Sequence, residues 1–246
     1  MSTESMHGHE PMSGVGPGRV GQQALTGGER AATVDIGRNL AEVRRRIARA
    51  AVAAGRAPDE VRLMAASKTQ PVEAMRQAMD AGQVWFGENY VQELVMKRRL
   101  LGDAAELALI GHLQSNKVNA ALGAMNQLHT LDSVDLADKL DRRLQQQGRG
   151  LDVLVEVNTS GEPAKTGVRP EDLLGLVKRL ASYQSLRPRG LMTVAVNTSD
   201  QPVVAGCFDV LARLGRQLRE DAVLGSDWPE LSMGMSADFE LAIAHG

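Results

Sequence analysis

One lysine follows a short apolar stretch and has the chemistry of a nucleophile. Residues 61–67 are mostly apolar and predict a strand, which places Lys68 at its C-terminal end. Pro71 follows closely, and proline suits the first turn of a helix. A lysine withdrawn from water can lose its proton, and the neutral amine can then attack a carbonyl to form a Schiff base. From the local sequence alone, the simpler interpretation is that Lys68 extends into water at a strand end.

A second stretch, Ser232-Met233-Gly234-Met235-Ser236, has the residue types of a phosphate cradle. Small residues after a strand leave backbone N–H groups accessible, and Ser236 can cap a helix predicted over 237–244. The N-terminus of a helix carries partial positive charge, so the two features together suit a phosphate. The alternative interpretation is an ordinary capped turn. A Schiff-base lysine and a phosphate cradle in one fold indicate pyridoxal 5′-phosphate (PLP).

Other polar residues near predicted strand ends have both a structural and a functional interpretation. Asn89 can cap a helix or face the pocket. Glu88 can act as a base, but a structural ion pair is simpler; His112 can act as an acid or base, but a hydrogen-bonded loop histidine is simpler. Lys117 and Lys165 lie in polar segments where exposure to solvent is expected. The sequence has no HExxH, GxSxG or GxxxxGK[ST] motif and no carboxylate cluster with metal-ligand spacing, so we predict no metal.

A regular alternation of elements places these residues. The predicted strands are 61–67, 84–87, 107–111, 128–132, 151–158, 189–196 and 230–233, each followed by a predicted helix. Units of about 25 residues indicate a parallel sheet, and seven in series favour a TIM-like (β/α)8 barrel over a doubly wound sheet. Active sites of such barrels lie at the C-terminal strand ends, where Lys68 and Ser232–Ser236 both fall. The sequence stops at Gly246, so we expect the last strand of the barrel to be missing.

Composition limits the possible partners and the number of domains. Residues 1–30 are rich in Gly, Ser, His and Pro without periodicity and predict a disordered extension, whereas 31–246 predict a single domain that opens with a helix over 31–54. A net charge of −2, a pI near 6.2 and 3% aromatic residues argue against nucleic acid. No apolar run reaches the roughly 20 residues that span a bilayer, and the single Cys207 fits a reducing compartment, so we expect a cytoplasmic protein.

Several segments together resemble one known family. They are Ala66–Thr69, Phe86–Glu93, Ile110–Lys117, Val157–Glu162, Arg189–Thr193 and Leu231–Asp238. In this order, within about 36–246, they resemble the pyridoxal phosphate homeostasis proteins. The resemblance implies the barrel of the alanine racemase N-terminal domain without that enzyme's second domain. It also implies a PLP Schiff base on Lys68 and a phosphate held by the stretch from Ser232 to Ser236.

The resemblance completes the predicted site and function. We predict cofactor-binding residues, with no catalytic residue, at Lys68, Asn89, Met192, Ser232, Gly234, Met235 and Ser236. The implied function is storage, buffering or delivery of PLP in vitamin B6 homeostasis, with apo forms of PLP-dependent enzymes as recipients. We expect a monomer. The alternatives are a PLP-dependent racemase-like enzyme, a phosphosugar enzyme of the barrel class, or a fragment with weakened PLP binding. A racemase of this fold needs a second base, commonly a tyrosine from another domain, and Tyr90 and Tyr183 are the only tyrosines of the sequence.

The sequence departs from the family pattern in two places. The family usually has Trp-His just before the Ile-Gly of the third strand, where this sequence has Leu107 and Ala108. We therefore expect an altered lining of the site with the fold retained. The family also continues beyond the residue that matches Gly246 into a last strand, whose arginine lies near the pyridine ring. Without that strand, we expect part of the cofactor site to be missing.

Overall fold

Seven parallel strands form a single sheet in the order of the sequence. The computed structural model describes residues 35–221 and 230–246, and Asp35–Gly246 is one compact unit. The strands are β1 (Ala65–Ala66), β2 (Trp85–Glu88), β3 (Glu106–Leu109), β4 (Gln127–Leu131), β5 (Leu151–Glu156), β6 (Leu186–Met192) and β7 (Glu230–Ser232). Each pairs in parallel with the next, so β1 and β7 are the two edges. The predicted parallel sheet is confirmed, and the predicted disorder of residues 1–30 lies outside the described part of the chain.

Helices connect consecutive strands, as the alternation predicted. The connecting helices are α2 (Val72–Asp80), α3 (Val91–Leu101), α4 (Val118–Leu122), α5 (Val134–Gln146), α6 (Leu173–Leu180) and α7 (Gln201–Glu220). Helix α1 (Ile36–Ala53) precedes β1, and α8 (Phe239–His245) follows β7. Short 3-10 turns cover Pro58–Glu60, Gly102–Ala104 and Ser115–Lys117. Helix α1 begins at Ile36 because the Asp35 carboxylate accepts a hydrogen bond from the Arg38 amide. Among the helices that the structure describes, none is long and apolar enough to cross a membrane.

The strand alternation separates the helix-facing core from the concave face of the sheet. In β5, Val153 and Val155 are fully buried and belong to the main core between sheet and helices. Their neighbours Asp152, Leu154 and Glu156 point to the opposite, concave face, because successive strand residues alternate sides.

The strand β1 is only two residues long, so the prediction of a strand over 61–67 is wrong in its first half. There Val61 and Leu63 pack with α1 and α8 rather than into the sheet.

The sheet curls until its opposite parts approach each other. His129 on β4 lies 3.1 Å from the Ser232 hydroxyl on β7, measured from Nδ1 to Oγ. In a flat sheet these two strands would be about 14 Å apart, beyond the reach of the two side chains, so the sheet must be strongly curved. At the edges, Arg62, shortly before β1, forms an ion pair with Glu230, the first residue of β7. The curvature is that of a TIM-like barrel, and it gathers the C-terminal strand ends on one side.

Helices α1 and α8 pack together outside the two edge strands. Arg46 of α1 donates two hydrogen bonds, of 2.8 and 2.7 Å, to the Glu240 carboxylate, and its guanidinium lies 4.6 Å from the centre of the Phe239 ring. Ile47, Ala51 and Ile243 form a small buried cluster beneath this contact. The helix before the first strand therefore holds the last described helix in place.

Burial of His129 predicts a dependence of stability on pH. Burial, reinforced by the nearby Arg62 charge, lowers the pKa of His129 to about 4, whereas the unfolded chain takes up this proton near the ordinary value of 6.5. Between these pH values the unfolded state binds more protons than the folded state. The contribution of neutral His129 to the free energy of unfolding is therefore complete above about pH 6.5 and decreases as the pH falls. We expect wild-type protein to lose about 2 kcal/mol between pH 7.5 and pH 5 from this group.

Urea unfolding at the two pH values, on wild type and His129→Gln, checks this contribution. Glutamine still accepts or donates a hydrogen bond near Ser232 but does not titrate, so the variant should lose about 2 kcal/mol less than wild type over the same interval. Equal losses in the two proteins would contradict the assignment to His129.

Candidate functional site

Lys68 lies at the C-terminal side of the sheet, two residues after β1 ends. Its residue is exposed, and its Nζ has no hydrogen-bond or ion-pair partner among residues 35–221 and 230–246. The next residue, Thr69, has a φ of +62°, which is uncommon for a β-branched residue. Its hydroxyl donates a 2.6 Å hydrogen bond to the Lys68 carbonyl oxygen. The hydrogen bonds of this turn do not use the Lys68 amine, which therefore stays available.

A buried ion pair supports the same turn from below. Lys97 of α3 is fully buried, and its Nζ lies 2.8 Å from the Glu88 carboxylate on β2, which is also fully buried. The Ser67 hydroxyl donates a further 2.5 Å hydrogen bond to the same oxygen, Glu88 Oε1. The interpretation of Glu88 as a structural ion-pair residue is confirmed. Lys97 was not predicted to be part of the site, because its place on a charged helix gives no sign of burial.

Asn89 lies directly after β2, next to β1 in the sheet. Helix α3 begins only at Val91, and Tyr90 is its N-cap residue, so the prediction that Asn89 caps this helix is wrong. Tyr90 is extended and its carbonyl accepts the first helical hydrogen bond, from Leu94. The Asn89 side chain is partly buried and has no partner within the described ranges. That it faces the pocket stays a prediction.

The backbone at Asn89 is in close contact with the next strand end. A Cβ added to Gly111, just after β3, would stand 2.1 Å from the Asn89 carbonyl oxygen. Only glycine leaves room for this approach, because real Cβ contacts are not shorter than 3 Å. Gly111 thus determines how closely the ends of β2 and β3 meet.

The stretch from Ser232 to Ser236 begins at the last residue of β7 and continues on the same side of the sheet. Gly234 has a φ of +85°, and a Cβ there would stand 2.8 Å from the Ala242 Cβ, so the loop is seated tightly on α8. Ser236 is exposed, and neither it nor the next residue, Ala237, has a hydrogen-bond partner in the described part of the chain. Two adjacent backbone N–H groups are therefore free to donate.

Two details differ from the predicted cradle. Helix α8 begins at Phe239 with Asp238 at its N-cap, so the prediction that Ser236 caps it is wrong. The physical reason is that the Asp238 carboxylate accepts a 2.5 Å hydrogen bond from the Met235 amide and closes a turn before the helix. That amide is consequently not free for a ligand. The Ser232 hydroxyl is engaged with His129 on the concave side.

Met192, another of the predicted cofactor-binding residues, is the last residue of β6. It pairs in register with Ser232 of β7 and is buried, 4% exposed. By the strand alternation it faces the concave side, as Ser232 does. Two residues of β3, Leu107 and Ala108, stand where the family usually has Trp-His. Leu107 belongs to the core against the helices, so only Ala108 can alter the concave face.

A buried carboxylate at the end of β5 was not predicted. Glu156 accepts a 2.6 Å hydrogen bond from the Thr166 hydroxyl through Oε1, while its buried Oε2 has no partner among the described residues. Burial is the largest cause that raises the pKa of Glu156, against the opposing effect of the Thr166 bond. His112 Nδ1 lies 3.6 Å from Asp132 nearby, at ion-pair distance rather than hydrogen-bond distance. Glu156, His112 and Asp132 are far apart in the sequence, and their place at one end of the sheet becomes evident only when the strands are aligned in register.

The two loop lysines differ from the expectation of free exposure. Lys165 lies 2.6 Å from the Glu162 carboxylate and donates a 3.2 Å hydrogen bond to the Ala195 carbonyl, so the prediction of exposure is wrong for this side chain. Lys117 is half-buried beside a groove between α3 and α4.

No group of three or more His, Cys, Asp or Glu side chains that could hold a metal occurs within 35–221 or 230–246.

Known proteins resemble this chain in sequence and fold. The family model described as "Alanine racemase, N-terminal domain" matches residues 38–246. A relative from Pseudomonas aeruginosa is 41% identical over 212 residues, and one from Vibrio cholerae is 39% identical over 219 residues; each match covers 86% of this chain and 90% of the relative. Both relatives are named pyridoxal phosphate homeostasis protein.

A solved structure extends the comparison to a cofactor. PipY of Synechococcus elongatus, solved with PLP bound, superposes with a TM-score of 0.75 at 34% identity, covering 86% of this chain and 94% of PipY. The curled parallel sheet and the family match define a fold of the alanine racemase N-terminal class. This chain belongs to the pyridoxal phosphate homeostasis protein family.

Proposed function

We propose that this protein binds PLP through Lys68 and stores, buffers or delivers it. The observation that carries the proposal is the Lys68 Nζ, which stands at a strand end with no protein partner in the described ranges. The names of the relatives and the PLP bound to PipY support it. Bound PLP supplies an aldehyde, with which the Lys68 amine condenses to a Schiff base and one water molecule.

The residues around the strand ends suit the rest of that ligand. The free N–H groups of Ser236 and Ala237, with the Ser236 hydroxyl, are donors of the kind that bind a phosphate. Gly234 keeps this loop close to α8 without a side chain in the way. Asn89, just after β2, then contributes a polar side chain to the proposed binding site, and Met192, at the end of β6, contributes an apolar one.

The proposed role is carrying PLP rather than turning over an amino acid. Tyr183 donates its phenol to Asp138, between α5 and the end of α6, and so is engaged away from the strand ends. Only Tyr90, exposed beside Asn89, lies near the proposed site. We propose that apo PLP-dependent enzymes receive the cofactor, that the protein acts as a monomer in the cytoplasm, and that residues 31–246 form one binding domain.

The visible absorption spectrum after addition of PLP tests this function. We expect wild type to develop a Schiff-base band near roughly 420 nm, and Lys68→Ala to lack it because the substitution removes the amine that would form the Schiff base. Lys178→Ala, which removes an exposed lysine from α6, serves as control and should retain the band. Borohydride reduction followed by peptide mapping identifies the modified residue.

Two outcomes would contradict the proposal. Folded wild-type protein without the band does not bind PLP covalently, and an equal band in Lys68→Ala moves the attachment elsewhere. Racemisation of alanine or serine at ordinary enzymatic rates, followed by chiral chromatography, would replace the carrier role with a catalytic one.

A further inference from the structure

A fully buried lysine is connected to the chain on both sides of Lys68, directly on one side and through Glu93 on the other. The Lys97 Nζ donates hydrogen bonds to three acceptors: the Ser67 carbonyl at 2.6 Å, Glu88 Oε1 at 2.8 Å and Glu93 Oε2 at 2.9 Å. The first acceptor belongs to the residue before Lys68. Three acceptors satisfy all three donors of an ammonium group, so the Lys97 side chain has one defined position.

The second connection comes through Glu93. Its Oε2 accepts a 2.8 Å hydrogen bond from the Thr69 amide, the residue directly after Lys68, and also contacts Lys97. The bond from Lys97, and next the bond from Thr69, lower the pKa of the Glu93 carboxyl, so it accepts as a carboxylate at neutral pH. The backbone N–H of Thr69 is therefore held by a charged acceptor.

The bond to Thr69 acts on a strained turn. A φ of +62° at a β-branched residue persists only where surrounding contacts hold it. The Glu93 carboxylate is such a contact, and the hydrogen bond between the Thr69 hydroxyl and the Lys68 carbonyl is another. Releasing the amide would let Thr69 return to an extended backbone and turn the Lys68 side chain away from its present direction.

We propose that Glu93 and Lys97 are positioning residues, which fix the backbone on both sides of Lys68 so that its free amine meets the aldehyde of a ligand. This inference rests on the proposed binding of PLP at Lys68. The Lys97 amine itself is not available to a ligand, because it is fully buried and bonded to three oxygens. The arrangement thus separates a lysine that holds the turn from a lysine that reacts.

Variants of Glu93 test the proposal, because this side chain is partly exposed and tolerates change better than Lys97. Glu93→Gln keeps an oxygen acceptor for the Thr69 amide, whereas Glu93→Leu removes it. Glu73→Leu on α2 is the matched control, since it removes an exposed carboxylate whose one ion pair among the described residues is with Arg76, within its own helix. Should Glu93→Leu fail to fold, Glu93→Ala removes the same acceptor without adding an apolar surface.

The first measurement is amide hydrogen exchange at Thr69 in the protein without PLP. We expect exchange to be faster by about tenfold or more in Glu93→Leu, and to stay within about threefold of wild type in Glu93→Gln and Glu73→Leu. This readout does not involve the ligand. It therefore decides whether Glu93 holds the turn even if wild type fails to bind PLP, a result that would overturn the proposed function alone.

The second measurement is PLP affinity, read from the absorption band near roughly 420 nm. We expect the dissociation constant to rise by about tenfold in Glu93→Leu and by less than about threefold in Glu93→Gln and the control. Unchanged Thr69 exchange in Glu93→Leu would overturn the positioning role. So would faster exchange with wild-type PLP affinity, because the bond would then serve the fold and not the amine.

Discussion

Alanine at position 190 is expected to prevent β7 from pairing normally with β6. Gly190 pairs in register with Glu230, and an added Cβ would stand 1.9 Å from the Glu230 carbonyl oxygen and 2.6 Å from its carbonyl carbon. The obstructing atoms belong to backbone, which cannot rotate aside as a side chain can. We therefore expect the free energy of unfolding to decrease by about 3 kcal/mol or more.

The same substitution should also impair the candidate site. The strand β7 leads directly into Gly234 and Ser236, so displacing its start moves the loop that offers the free amides. Urea unfolding measures the stability, and the absorption band of the PLP complex reports the site. Gly206→Ala is the matched control: this glycine lies inside α7 with open space around its Cβ position, and alanine there should stabilise the protein by about 0.5–1 kcal/mol.

The two glycines separate steric contact from conformational entropy. Equal midpoints of urea unfolding for Gly190→Ala and wild type would mean that β6 and β7 separate at no cost. In that case the close approach at Gly190 would not be needed to hold the β7 edge.

The sheet could be predicted from the sequence because each strand–helix unit repeats one local pattern. Valine-rich segments such as 151–156 alternate with helical periods that end at glycines, and parallel strands require such crossovers. The order of the strands follows from this series without any long-range information. The placement of Lys68 and Ser236 at one side of the sheet follows in turn, since all parallel strands end on that side.

The starts of elements were harder to predict because contacts distant in sequence decide them. Residues 61–64 have the composition of a strand, but Val61 and Leu63 contact α1 and α8 instead. Ser236 has the residue type of a cap, but the Asp238 carboxylate bonds the Met235 amide and moves the helix start. In each case the local preference was real and a competing partner was stronger.

The buried support of Lys68 could not be predicted from local patterns. Glu93 and Lys97 are four residues apart on α3, a spacing typical of an exposed ion pair. Only the packing of α3 over β2 brings Glu88 beneath Lys97 and removes the lysine from water. His129 and Glu156 are similar cases, because the concave side on which they lie exists only after the sheet has curled.

Replacing Lys97 with methionine is expected to destabilise the protein strongly. Methionine approximates the length of the lysine stem but leaves Glu88 fully buried without its cation. Glu88 Oε2 already has no partner in the described ranges, so the remaining Ser67 hydroxyl would be the sole donor to this carboxyl group. Removing one partner of a buried ion pair costs about 3–5 kcal/mol, and we expect a loss of that size in urea unfolding.

A double variant distinguishes an uncompensated charge from lost packing. Lys97→Met combined with Glu88→Leu removes both charges, so it should recover most of the stability that Lys97→Met alone loses. Lys178→Met, at an exposed position on α6, should change stability by less than about 0.5 kcal/mol and controls for the substitution itself. If the double variant is as unstable as Lys97→Met, the loss comes from the bonds that Lys97 makes to Ser67 and Glu93, and the charge of Glu88 is not its cause.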